Sequence, residues 1–378
     1  MPNFARLISL TVGRKKPWPC LGKGCQPLVL LTKERNMSQS LEAYVNTRGV
    51  DMSSLVDEGI TTLQEVLNPA VLGRQVSTLP GCASWGTVHE ASFRPLKWHK
   101  GKRCTLEVSF RTDNGPCQLI AKVYAKDRTD VHQTMDKMWR GQFHQSAQFS
   151  IPRPLAYVPS LRLHFEEKLA GKNAKEIFLT GDEKEQMEAA ERSAHWLAHF
   201  HQWAPRTGEF SSPKAGLARM ERWALRFCEL GGALSENAQL LFKRLRATFL
   251  EVGPAEICAG HGSFSPDHVF LVGDRVLTID WDGFDAGDPA RDVARFAVTM
   301  QRLAVGRMGS ITALDSPAHA FLDAYIKTRG SAILPRLPYY RAATCLKLAK
   351  YGAFHHRVSR WEEKVGAMLL EGLRVLEN

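Results

Sequence analysis

The chain has 378 residues, 44% hydrophobic and 24% charged, with a formal charge of +11. These values exclude a fibrous or low-complexity chain and predict two domains or one large two-lobed unit. No apolar run approaches the roughly 18–20 residues of a membrane helix, so no membrane partner is expected. Residues 1–36 hold seven bases and one acid, so +6 of the +11 sits there and +5 is spread over the other 342 residues. That is too thin for a phosphate-tracking surface and argues against nucleic acid as a partner.

Residues 1–36 are rich in Pro and Gly and lack the apolar core and cleavage site of a secretory signal. They read as a disordered basic extension or a transit segment, and Met37 opens a more regular stretch. The eight cysteines include no Cys-x-x-Cys pair, which predicts free thiols in a reducing, cytoplasmic setting and no zinc site. SQSLEAYV and SSLVDEGITTLQEVLNPAVL predict helix within 38–75, from Ser caps and helical spacing. The period then falls to two. KRCTLEVSFRT and CQLIAKVYAKD flank the turn DNGP as a β-hairpin, with LPGCASWGTVHEASF as a third antiparallel strand. A helix follows within VHQTMDKMWRGQFHQSA, and LRLHFEEKL alternates like a strand. From 182 the chain reads as helical, with breaks at Pro317, Pro335 and Pro338. The expected order is a β-rich lobe with leading helices over 37–165 and a helical lobe over 166–378, with a ligand cleft between them.

One segment interrupts the helical lobe: HGSFSPDHVFLVGDRVLTIDWD, residues 261–282. HVFLV and RVLTI flank Gly273-Asp274, a pair suited to a two-residue primed turn. Pairing Val272 with Arg275 places His268 opposite Ile279 and Asp267 opposite Asp280, at Cα separations of about 4.5–5.5 Å. The open end of the hairpin would gather His261, Ser263, Asp267, His268, Asp280 and Asp282. A solvated polar hairpin mouth accounts for the same spacing. Phosphoryl transfer, in contrast, needs a carboxylate on Mg²⁺, a second oxygen ligand, a base and a lysine on the phosphates. Asp280 suits the first role. Lys122 in LIAKVY shares a strand face with Ile120 and Tyr124, where it either snorkels to the edge or meets an anion.

LIAKVY, IPRPLAYVPSLRLHFEEKLAG, the helix ending LAHFHQW, HGSFSPDHVFLV and TIDWDGFDAGDPARDVARF occur in that order. This collinear set, spanning about residues 80–330, resembles the aminoglycoside phosphotransferase and choline-kinase-like family. The resemblance implies an α+β, bilobal protein-kinase-like fold with a small antiparallel β-rich lobe and a larger, mostly helical one. It also implies ATP (or GTP) and Mg²⁺ as cofactors and a small-molecule hydroxyl as acceptor. By position, Lys122 would bind the α/β-phosphates, Ile120 would cover the adenine, and Glu166, Glu167 and Lys168 would lie at the hinge near its edge. Asp280 would hold the metal. Asp288 and Asp292 would cap and brace the following helix, and His201 would be a packed histidine. The small-lobe acid expected to pair with Lys122 is not evident; Asp136 is the first candidate and Asp130 the second.

Two departures stand out. The family pattern is His-Gly-Asp followed five residues later by Asn or Gln, whereas this chain has Ser263 and His268. A hydroxyl is no base near neutral pH, and general-base help is worth about 10²–10⁴-fold. Imidazole is a poor ligand for Mg²⁺, so Asp267 or Asp282 would have to deputise beside Asp280. Two readings stay open: a weak or atypical phosphotransferase, with His261, Ser263 and Asp267 nearest the chemistry, or a pseudokinase that binds nucleotide or a protein partner. The acceptor pocket would be built by helices within 205–250 and 300–360. RMERWALRFCELGGALSENAQLLFKRLRATF is more basic than acidic, which argues against a polycationic acceptor. Trp223 and Trp361 would either form an aromatic cage or pack between helices.

Overall fold

Alternation at period two builds the first layer. β1 (Val88–His99), β2 (Arg103–Thr112) and β3 (Gly115–Tyr124) form an antiparallel meander, and Thr112 faces Gly115 across the Asp113-Asn114 turn. The computed structural model describes residues 55–79, 85–249 and 256–377, so the readings of 1–36 and of SQSLEAYV fall outside it. β4 (Phe149–Ser150) belongs to a second sheet. β5 (Pro154–Val158) and β6 (Leu163–Glu167) extend the first into five strands in the order β1-β2-β3-β6-β5.

Two short helices, α1 (Leu63–Val66) and α2 (Pro69–Ser77), cover one face of this sheet. Asn68 caps α2 through its side-chain oxygen, and Pro69 sits at the first helical position, where no N–H is needed. Leu63, Val66, Leu72 and Val76 join Leu106, Val108, Ala121, Val123 and Phe165 in one core. α3 (Thr129–Arg140) follows β3.

The second lobe is helical: α4 (Ala174–Thr180), α5 (Glu183–Trp203), α6 (Pro213–Arg226), α7 (Gly232–Phe249), α8 (Ala290–Arg307), α9 (Asp315–Arg329), α10 (Leu337–Phe354) and α11 (Trp361–Arg374). Asp182 and Glu185 form a capping box that starts α5. Pro317 and Pro338, expected as breaks, lie in the first turns of α9 and α10, where a missing N–H leaves no intrahelical bond unmade. Among the described residues no helix is long and apolar enough to cross a membrane.

Within this lobe β9 (Val269–Val272) and β10 (Arg275–Thr278) form the expected hairpin, with Val272 opposite Arg275. It is flanked by β4 and by β7 (Lys172–Asn173) in a four-stranded sheet. β8 (Cys258–Gly260) pairs with β11 (Asp285–Gly287), bringing the residues just after 260 against those just before 285. An aromatic stack lies behind this junction. Trp196 is fully buried, stacks on Phe200 at 5.2 Å and Phe264 at 5.7 Å, and donates its indole N–H to the Ser150 carbonyl at 3.0 Å. Trp196→Ala is expected to cost about 3–5 kcal/mol in urea unfolding; a loss below about 1 kcal/mol would show that the stack does not hold the lobe together.

Candidate active site

Lys122 comes from β3, where the ladder sets Thr105 of β2 on one side and His164 of β6 on the other. Its Nζ lies 2.9 Å from Glu166 Oε1 and 3.0 Å from Oε2. Both residues are nearly sealed, at 4% and 3% exposure. The pair is diagonal across the ladder, because Glu166 faces Ile120, two positions from Lys122 on the same side of the strand. Burial pushes the Glu166 carboxyl up, but the Lys122 ammonium and His164 bring it down to about 2. For Lys122, burial acts against the charge and Glu166 outweighs it, so the ammonium holds its proton more firmly than usual.

Glu166, expected at the hinge near the adenine edge, is instead the acid paired with Lys122, in place of the candidates Asp136 and Asp130. Those two acids pair with Arg140 and Arg128 instead. α3 presents His132 to this region, with its ring 5.3 Å from that of His164. The alternation of LHFEE, which puts His164 and Glu166 on one face of a strand, is the signal from which this acid could have been found. Of the other residues expected at the hinge, Glu167 accepts the Arg153 N–H at 3.1 Å, and Lys168 reaches Glu107 at 3.0 Å and Gln118 at 2.8 Å.

Opposite Lys122, the chain leaves β10 through a turn centred on Trp281. This residue is fully buried, with its indole N–H on the Thr278 carbonyl at 3.0 Å. Anchoring residue 281 inward leaves Asp280 and Asp282 free to meet Arg103. Asp280 adopts the left-handed conformation at φ 66°, tolerated by Asp more readily than by most residues. Arg103, at the start of β2, donates through Nη1 to Asp280 Oδ1 at 2.9 Å and, more closely still, to Asp282 Oδ2. Tyr124 donates to Asp282 Oδ1 at 2.9 Å, and Arg128 to the Asp282 carbonyl at 2.9 Å. Burial pushes the Asp280 carboxyl up, but Arg103, His268 and Lys122 hold it well below the usual range.

Arg103 escaped the sequence reading. It closes the β1–β2 loop, His99 to Arg103, whose tip also carries the exposed Lys100 and Lys102, with Lys97 4.0 Å from Asp280. Asp57 pins this loop from the leading segment, accepting the N–H of Gly101 at 2.8 Å and the Trp98 indole at 2.7 Å. A Cβ at Gly59 would strike the Gly101 backbone.

The loop after β8 carries the remaining residues. Asp292, in the first turn of α8, accepts the N–H of His261 at 2.7 Å and of Gly262 at 3.0 Å. Its carboxyl is held at about 2, burial being outweighed by His201 and His261. Asp288 accepts the Ala290 N–H at 2.9 Å and pairs with Arg336 at 2.7 Å. Gly262 has φ 73°, and a Cβ there would collide with the Gly283 carbonyl. Burial pushes the His261 imidazole down from its usual value, which favours the neutral ring. Its Nε2 lies 3.0 Å from the Ile279 carbonyl, which accepts but cannot donate, so Nε2 carries the hydrogen. Nδ1 is then an acceptor, and the Ser263 hydroxyl donates to it across 3.2 Å.

Ile279 N–H donates to the His268 carbonyl at 3.0 Å, continuing the expected register. Pro266–His268 then coils into a 3₁₀ turn. Asp267 is thereby turned away from Asp280, and His268 stands between them, with Nε2 3.9 Å from Asp267 and 3.5 Å from Asp280. Burial drives the His268 imidazole down to about 4.

Mg²⁺ prefers octahedral oxygen ligands at about 2.0–2.1 Å. Here two carboxylates are already bridged by a guanidinium, and the third neighbour is a neutral imidazole. Among the described residues no group of three or more His, Cys, Asp and Glu is placed to hold a metal ion. Asp280, Asp282 and His268 as arranged do not fit a Mg²⁺ centre.

Two cavities open in the helical lobe, one of about 470 Å³ beside Pro266, Asp267 and Trp361, and one of about 140 Å³ beside Gly262, Asp292 and Trp223. Both draw on the expected helices. Arg357 covers the Trp361 ring at 4.4 Å, and Lys350 lies 5.8 Å from the Trp223 ring, so each indole already meets a cation of this chain.

The model of the phosphotransferase enzyme family matches residues 105–337. Among solved structures, the chain is similar to a choline/ethanolamine kinase family protein from Mesorhizobium loti (14% identity, 81% of this chain and 94% of that one, TM-score 0.53). It is similar to a glucosamine kinase (14%, 80% and 85%, TM-score 0.55). It is also similar to a thermostable mutant of aminoglycoside phosphotransferase APH(4)-Ia in ternary complex with ADP and hygromycin B (14%, 81% and 98%, TM-score 0.54). None of the curated proteins matches the chain.

Replacing Glu166 by Gln strands a buried ammonium, and urea unfolding at pH 7 is expected to show a loss of about 3–5 kcal/mol. The folded carboxyl, at about 2, lies below its unfolded value of 4.5. Its stabilisation is therefore complete above pH 4.5 and fades as the pH falls towards 2. Glu166→Gln should flatten stability against pH in that window; an unchanged profile would contradict the pairing.

Proposed function

Because the chain belongs to the phosphotransferase enzyme family, we propose that it binds ATP between its lobes and transfers the γ-phosphoryl group slowly to a small-molecule hydroxyl. The observation that carries this reading is the buried Lys122–Glu166 pair, which keeps the Lys122 ammonium protonated and held near Asp280 and Asp282. In this reading Lys122 meets the α/β-phosphates, Ile120 lies against the adenine, and Lys97 of β1 with Lys100 and Lys102 of the β1–β2 loop screens the outer phosphate. Arg103 is the cation between the carboxylates, so phosphate charge is met by side chains. The ADP and hygromycin B complex of APH(4)-Ia supports the pairing of a nucleotide with a small-molecule acceptor in this fold.

In the transfer step the acceptor oxygen forms a bond to the γ-phosphorus as the bond to the β–γ bridging oxygen breaks and ADP leaves. The hydroxyl proton passes to solvent, since Ser263 is itself a donor to His261. Missing base help slows such a reaction by about 10²–10⁴-fold, while positioning and charge neutralisation persist. The Ser263–His261 bond also favours a second reading, a nucleotide-binding pseudokinase. ADP release from ATP separates the two. Ser263→Asp is expected to raise it by about 10–10³-fold. No turnover in either protein, with ADP still bound, would leave the pseudokinase; no ADP binding at all would overturn both.

A further inference from the structure

The smaller cavity of the helical lobe carries a charge pattern that phosphoryl donation from a nucleotide does not use. Arg219 of α6, Arg291 and Arg295 of α8 and Lys347 of α10 all line it, beside Gly262, the residue immediately before Ser263. Arg291 has a counter-ion in Asp285 at 2.7 Å. Asp292 lines the cavity too, but its oxygens are engaged by the N–H groups of His261 and Gly262. Arg295 has no such partner. Its Nε and Nη1 are shut off from solvent and donate to no acceptor among the described residues.

Most buried side-chain donors have a hydrogen-bond partner, and Arg295 leaves two of its own without one. Four cations round one space, of which Arg291 alone has a carboxylate at salt-bridge distance among the described residues, mark a place for an anion. The strain on Arg295 agrees: burial, with Arg302 nearby, pushes its guanidinium down to about 10. A cationic acceptor would add to that repulsion. A single carboxylate would answer one charge of several. A phosphomonoester carries about −1.5 to −2 at neutral pH, and its three oxygens suit guanidinium forks.

We infer that this cavity binds the phosphate group of a small-molecule phosphomonoester. On the phosphotransferase reading above, on which this part rests, that molecule is the acceptor, held by its phosphate while a hydroxyl is presented beside Ser263. The Ser212 hydroxyl and the Tyr340 ring on the same wall would contact its remainder.

Calorimetry on the full chain, with inorganic phosphate and glucose 6-phosphate as probes and glucose as the neutral control, tests the assignment. Both phosphates should bind and glucose should not. Lys347→Gln, at an exposed rim position, and Arg295→Gln should each weaken binding by about tenfold or more. ADP affinity, measured separately, should be unchanged in both variants. Absence of phosphate binding, or equal binding in wild type and Lys347→Gln, would overturn the inference even if Arg295→Gln failed to fold. Phosphate binding that obeys these variants in a protein that does not bind ADP would uphold the cavity while removing the nucleotide reading.

Discussion

The bridge from Arg103 to Asp280 and Asp282 is the contact on which the site depends. Two carboxylates two residues apart, on a turn pinned by a buried tryptophan, repel each other and lose solvation. Each buried ion costs several kcal/mol unless it is paired and hydrogen-bonded. Arg103 answers both, reaching from the β-rich lobe to a hairpin of the helical lobe at 2.9 Å from Asp280 and closer still to Asp282. Tyr124 and Arg128 satisfy what remains of Asp282. The lobes are thus joined where the family resemblance implies a metal ion, and the joining cation belongs to the chain.

Scaffold and chemistry separate cleanly in the neighbouring loop. Asp292 receives the N–H groups of His261 and Gly262, and Gly262 packs on the Gly283 carbonyl. These are buried obligations, and breaking one strands a polar group or forces a clash. Position 263 has no such obligation beyond one hydroxyl bond to His261. The loop can keep its shape while carrying a residue that takes no proton. Membership of the family and a serine at position 263 therefore coexist here without contradiction.

Local rules made much of this legible. Gly273-Asp274 fixed the hairpin register, and period-two alternation placed Lys122 mid-strand. The antiparallel sheet and the helical lobe also stand as expected. What escaped was non-local or conformational. Glu166 meets Lys122 across 44 positions through the pairing of β3 with β6, an order of strands that no local pattern specifies. Arg103 carries no local signal, because its partners lie 177 and 179 residues away. The left-handed turn at Asp280 and the 3₁₀ turn at Pro266–His268 ended the ladder one residue early, so His268, and not Asp267, came to face Asp280. Pro317 and Pro338 look like breaks because proline ends helices; it opens them as well.

On the phosphotransferase reading, the Arg103 side chain stands where the family resemblance implies a divalent cation. The direct measurement is ADP affinity of the wild-type chain by calorimetry, in EDTA and in excess Mg²⁺. With Arg103 between the carboxylates, the two affinities should agree within about threefold, or 0.7 kcal/mol. Binding seen only with Mg²⁺ would mean that Arg103 yields its place to the metal, and would contradict the account.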